Sequence, residues 1–136
     1  MLTLLLAALL SSSKSEIPPD AWDCENTVEV WCAVDGCAAQ PEGEMTPMSI
    51  TASRDGAFSV CAYTGCWEGK TTLIDQAGRL LWAGDAAPFS TKTEGGFEAD
   101  ITLLIIEKEG VGFVRAGGLA SPLLCSRRPV DKGLTE

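Results

Sequence analysis

The sequence predicts an all-β fold: a small antiparallel meander of about eight strands, stapled by disulfides and closed as a barrel in preference to an open sandwich. Three observations carry that expectation. Apolar and polar residues alternate in short runs from Thr27 onward, glycine-bearing turn signals separate the runs, and six cysteines follow an apolar, export-like leader. A chain of 136 residues holds one ordinary domain of this kind.

Residues 1–15 read as a signal peptide. Met1–Leu10 (MLTLLLAALL) is apolar except for Thr3 and is followed by Ser11-Ser12-Ser13-Lys14-Ser15. Ten helical residues rise about 15 Å, half of a hydrocarbon core of about 30 Å, so no membrane span is expected. The stretch matches the apolar region of an export signal with small residues behind it, and cleavage is expected between Leu10 and Ile17. Residues 16–136 then form a single disulfide-stabilised β domain in the periplasm or outside the cell. Ile17-Pro18-Pro19-Asp20 is a stiff, extended lead-in.

Cys24, Cys32, Cys37, Cys61, Cys66 and Cys125 are an even set, which in an exported chain favours disulfides over free thiols. Cys32–Cys37 and Cys61–Cys66 repeat the pattern C-A-x-x-G-C, with Gly36 or Gly65 able to reverse the chain just before the second cysteine. Two pairings fit: each motif closes on itself, or the two motifs are cross-linked. The tight glycine turn favours self-closure, and in both schemes Cys24 and Cys125 remain to tie the ends of the domain together. A four-thiolate zinc site would prefer shorter cysteine spacing, so no metal and no cofactor are expected.

The strands follow in order. Thr27–Cys32 alternates Val28, Val30 and Cys32 against Glu29 and Trp31, and a polar segment over 38–47 separates it from the next run. Met48–Ser53 and Ala57–Ala62 flank Arg54-Asp55-Gly56, a hairpin signal, and Trp67–Asp75 and Arg79–Ala83 flank Gln76-Ala77-Gly78. A second polar segment covers 84–96. Phe97–Ile106 then turns at Glu107-Lys108-Glu109-Gly110 into Val111–Ala116, and Gly117-Gly118 leads to Leu119–Cys125, where Pro122 marks an edge or a break. A barrel would set the first and last strands side by side, where Cys24 could meet Cys125.

Charge and composition exclude several functions. With 10 Lys+Arg against 19 Asp+Glu the net charge is −9, and neither nucleic acid nor an anionic membrane surface suits so acidic a chain. The absence of histidine removes imidazole-assisted catalysis and histidine-ligated metals. The acidic residues form no recognisable pair, so no catalytic residue is assigned. The binding candidates are Tyr63, the only tyrosine, together with Trp67, Glu68 and Arg115.

The expected function is that of a secreted or periplasmic, non-enzymatic binding or inhibitor module, monomeric, for a cationic protein partner. The alternatives are a lipocalin-like carrier of a small apolar ligand and a carboxylate-dependent hydrolase. Leu73, Leu81, Leu103 and Ile105, if they share the inner face, would fill the interior and oppose the carrier.

Overall fold

The computed structural model describes residues 20–41, 43–62, 65–90 and 97–128. The expected signal peptide and Tyr63 lie outside the described residues. The described residues form one antiparallel sheet of 12 strands: β1 (Ala21–Glu25), β2 (Glu29–Ala33), β3 (Gly36–Gln40), β4 (Met48–Ser53), β5 (Ala57–Ala62), β6 (Gly65–Lys70), β7 (Ile74–Gln76), β8 (Arg79–Ala87), β9 (Phe89–Ser90), β10 (Ala99–Ile106), β11 (Val111–Ala116) and β12 (Leu119–Arg127). The pairing path runs β7-β8-β10-β11-β12-β1-β4-β5-β6-β9, with β2 beside β12 and β3 beside β2. Short turns explain this order, because a two-residue turn can only fold a strand back on its neighbour. At Ala77-Gly78 both φ values are positive, 54° and 78°, as a turn matching the right-handed twist of the flanking strands requires.

The closed barrel expected from the sequence does not form. The pairing path ends on β7 at one side and on β9 at the other. Where β6 and β8 approach, Gly69 and Gly84 lie against the ring of Phe58, and a Cβ on either would come within 2.7 Å of its Cζ. That approach is bridged by the ring, by Thr71 Oγ1 to Ala83 O (2.8 Å) and by Glu68 N to Pro88 O (3.3 Å), which lies next to the short β6–β9 pairing; no ladder joins β6 to β8 among the described residues. The curled sheet therefore stays open.

The three disulfides are Cys24–Cys125, Cys32–Cys37 and Cys61–Cys66, so each C-A-x-x-G-C motif closes on itself. In every case the two cysteines are directly opposite residues of an antiparallel pair. The first and last strands are neighbours, as the terminal pair of cysteines implied. Three disulfides fit an oxidising compartment. No described helix is long and apolar enough to cross a membrane.

Several boundaries differ from the sequence reading. Glycine-rich β6 ends at Lys70 and β7 begins only at Ile74, so Trp67–Asp75 is two strands and not one. The segment expected to be a polar loop after Cys37 begins as β3. Pro122 does not break β12; it pairs with Phe113 at the point where the other neighbour of β12 changes from β2 to β1. Proline is tolerated there because no ladder partner faces the N–H it lacks. At the same corner Asn26 replaces missing ladder bonds. Its Oδ1 accepts from Met48 N (2.7 Å), and its Nδ2 donates to Val28 O and Thr46 O (3.2 Å each).

The inner face is packed. Ile50, Val60, Leu80, Ile101, Leu103, Ile105 and Leu119 are buried, and Trp22 meets Trp82 edge to face with centroids 6.2 Å apart. Leu103 and Ile105 fill the interior as expected and Leu73 packs against it, but Leu81 points to the opposite face. Among the described residues these side chains fill the inner face.

Candidate protein-binding face

Side chains of directly paired residues in an antiparallel sheet project from the same face, so the register fixes what each face displays. Leu80 and Trp82 of β8 point inward, which sends Leu81 outward. Leu81 pairs with Ile74 on one side and Leu104 on the other. Leu104 pairs with Phe113, and Phe113 pairs with Pro122. The outer face thus carries one unbroken apolar row, Ile74-Leu81-Leu104-Phe113-Pro122, across five adjacent strands. A second row beside it places Ile106, Val111 and Leu124 in register.

This stripe is open to solvent. Ile74, Phe113 and Leu124 are 55, 51 and 53% exposed, and Leu81, Leu104, Ile106 and Val111 are half-buried. Scattered apolar residues on a surface need no explanation, whereas a contiguous patch spanning five strands marks an interaction site.

Arginines flank the stripe. Arg79 stands in the second row, opposite Ile106, and Arg115 in the row beyond Phe113, opposite Thr102 and Ala120. Neither forms an ion pair among the described residues. The paired positions of these rows on β7, β8, β10, β11 and β12 contain no carboxylate, although the chain has 19. The stripe is therefore apolar, with Arg79 and Arg115 at its margins and the exposed carboxylate of Glu25 beside Leu124, where the second row passes onto β1.

Other acidic groups nearby are ion-paired. Arg54 bridges Asp75 (3.0 Å) and Glu107 (3.2 Å), and Arg127 binds Asp20 (2.6 Å). The hydrogen bond from Arg54 holds the Asp75 carboxyl below the usual carboxylate range. Both guanidinium groups lie over the indole of Trp22, at 5.3 and 5.6 Å from its centroid. This network closes one end of the curled sheet and is a structural seal.

The residues singled out from sequence do not assemble into one site. Trp67 is only 2% exposed and points into the core, packed on Phe89 (4.7 Å) and Phe97 (5.5 Å), so it is no surface anchor. Glu68 lies on the outer face of β6 and accepts a hydrogen bond from Ser59 Oγ at 3.2 Å. Arg115 is on β11, separated from β6 along the pairing path by β12, β1, β4 and β5. Of the three that are described, only Arg115 borders the stripe. The sequence held an unused signal for the rest: Leu80-Leu81-Trp82 and Leu103-Leu104-Ile105-Ile106 are apolar on consecutive positions. A strand burying one face alternates, and consecutive apolar residues load both.

Among the described residues no group of three or more Cys, Asp or Glu side chains is arranged to hold a metal ion. Compared with protein-family models, with curated proteins and with solved structures, the chain finds no match in any of the three.

Proposed function

We propose that this protein is a secreted or periplasmic, non-enzymatic binding module that docks on a protein partner through the outer face of β7, β8, β10, β11 and β12. One observation carries the reading: the in-register apolar row from Ile74 to Pro122, which crosses five strands with Ile74, Phe113 and Pro122 exposed and Leu81 and Leu104 half-buried between them. A rigid, disulfide-braced sheet presents that row without first having to order it, which lowers the entropic cost of binding. Phe113 is the central anchor, since aromatic side chains in the middle of an apolar patch carry most of the energy of typical interfaces. Arg79 and Arg115 at the margins suit carboxylates on the partner. The net charge of −9 favours encounter with a partner that is cationic overall, and such steering weakens as salt rises.

Position-specific photo-crosslinking in the native extracellular or envelope fraction tests the reading. A photoreactive phenylalanine analogue in place of Phe113 should join the protein to a discrete partner, and the same analogue in place of Thr51, on the outer face of β4, should not. Phe113→Asp should abolish co-isolation of that partner while the thermal melt is unchanged. Equal labelling from both positions, or none from either, would overturn the assignment.

A further inference from the structure

β3 pairs with β2 and with no other strand among the described residues. Exposed sheet edges are usually guarded by charge, proline or a bulge. Within Gly36–Gln40 there is none of them, with Asp35 and Pro41 lying just outside either end. Gly36-Cys37-Ala38-Ala39-Gln40 is uncharged and wholly exposed, and its register with β2 runs unbroken from Ala33↔Gly36 to Glu29↔Gln40. The Cys32–Cys37 disulfide clamps the ribbon next to its turn. In a hairpin closed by a two-residue turn, the pair flanking the turn exchanges main-chain hydrogen bonds and the pattern alternates outward. Cys37 and Ala39 therefore direct their N–H and C=O groups away from β2, toward the free edge.

The ribbon also offers a prepared side-chain contact. Trp31 stands directly opposite Ala38 and is 40% exposed, whereas Trp22, Trp67 and Trp82 are buried. Its ring is fixed from two sides. The indole N–H donates to the carboxylate of Glu29, itself only 4% exposed and accepting a further bond from Thr46 N. The ring rests on Gly118, where a Cβ would come within 2.6 Å of Cε3. The groove beside it is lined by Trp31, Gly118, Ala38 and Asp35, with Cys32 and Cys37 along it. Asp35 supplies a carboxylate and no cationic side chain lines the groove. Because Ala38 is small, a side chain from a strand added at the edge can lie across it onto the indole.

We infer that the free edge of β3 takes an extended, cationic segment of a partner protein as an added strand, with an Arg or Lys side chain laid over Ala38 against Trp31 and toward Asp35. Main-chain bonds to Cys37 and Ala39 supply the affinity, and the Trp31 groove selects the side chain. This surface goes beyond the apolar stripe and does not depend on it. Trp31 pairs with Leu119, an inward-facing residue, so the groove opens on the other side of the sheet from Phe113.

The test titrates the isotope-labelled, oxidised protein with the probe peptide acetyl-Thr-Val-Arg-Val-Thr-amide. Amide exchange at Cys37 and Ala39 should slow, the Trp31 indole resonance should shift, and resonances of Phe113 and Leu124 should stay in place. Replacing the Arg by norleucine should weaken binding about fivefold, the worth of one cation–aromatic contact. Asp35→Asn, in an exposed turn, should weaken it about twofold or more. Ala39→Pro, which removes an outward N–H, should abolish binding while the Trp82 environment remains native. The inference is overturned by slow exchange at Cys37 and Ala39 in the free protein, meaning its own chain or a second copy already covers the edge. It is equally overturned by Arg and norleucine peptides of equal affinity, or by undiminished binding to Ala39→Pro.

Discussion

Cys24 and Cys125 are separated by 101 residues in sequence, yet they face each other across β1 and β12 with Cα atoms 4.1 Å apart. A cross-link over that span removes most of the loop freedom of the unfolded chain, about 4.7 kcal/mol in the chain-entropy model, whereas a six-residue loop gives about 2 kcal/mol. Replacing both terminal cysteines by serine should therefore cost roughly twice as much stability as the paired Cys32→Ser and Cys37→Ser change. Urea titrations of the two double variants measure the ratio. Equal losses would mean that local strain outweighs chain entropy.

Trp67 and Phe113 are both large aromatics, but the fold puts them to opposite uses. Truncating Trp67 to alanine empties a filled site beside Phe89 and Phe97 and should cost about 3–5 kcal/mol. Phe113→Ala removes an exposed ring and should change stability by about 0.5 kcal/mol or less. Thermal melts of the two variants, read beside partner capture, separate core from interface: capture should fail for Phe113→Ala at full stability.

Much of the fold was legible because alternation and turn chemistry are local. The hairpins at Asp55-Gly56, Ala77-Gly78 and Gly117-Gly118, the self-closed C-A-x-x-G-C motifs and the meeting of Cys24 with Cys125 all follow from short-range signals or from counting cysteines. Closure was not legible. Whether β6 joins β8 depends on Phe58 standing between Gly69 and Gly84, a relation among residues distant in sequence. The binding face was half legible. Periodicity places Leu81 and Leu104 outward only once the inward set is known, and the row they build with Phe113 exists only in the register of five strands. Trp67 misled because a tryptophan beside a braced turn reads equally as anchor or core, and its alternation with Cys66 and Glu68 sends it inward.

The ring of Phe58 sets the sign of an otherwise ordinary substitution. Glycine inside a strand is normally improved by alanine, which loses less backbone freedom on folding. Neither Gly69 nor Gly84 has positive φ, so alanine suits the backbone at both. Its Cβ would nonetheless fall 2.7 Å from Phe58 Cζ. Gly69→Ala and Gly84→Ala should each destabilise by about 1–3 kcal/mol, the usual cost of overpacking. Phe58→Leu frees that space, so in a double-mutant cycle Gly84→Ala should become neutral or stabilising. An unchanged cost in the Phe58→Leu background would show that the clash lies elsewhere.

Glu29 gives the acid limb of stability a specific origin. Burial alone would raise its pKa, but the main-chain N–H of Thr46 and the indole N–H of Trp31 bond the ionised form and leave it below the ordinary value of 4.5. A carboxyl whose pKa is lower folded than unfolded stabilises the fold above the unfolded value, and that stabilisation is lost as pH falls through the folded value. The protein should accordingly weaken below about pH 4.5, and protonation of Glu29 should release Trp31 and the residues around Thr46 together. Glu29→Gln should lower stability at neutral pH by about 1–3 kcal/mol, the range for a buried, charge-assisted bond. It should also flatten the decline between pH 4.5 and the acid transition. Trp31 emission followed with pH in both forms checks this: a variant with the same acid midpoint as the parent would assign the transition to other carboxylates, such as Asp55 and Asp75, whose pKa values are also lowered by hydrogen bonds.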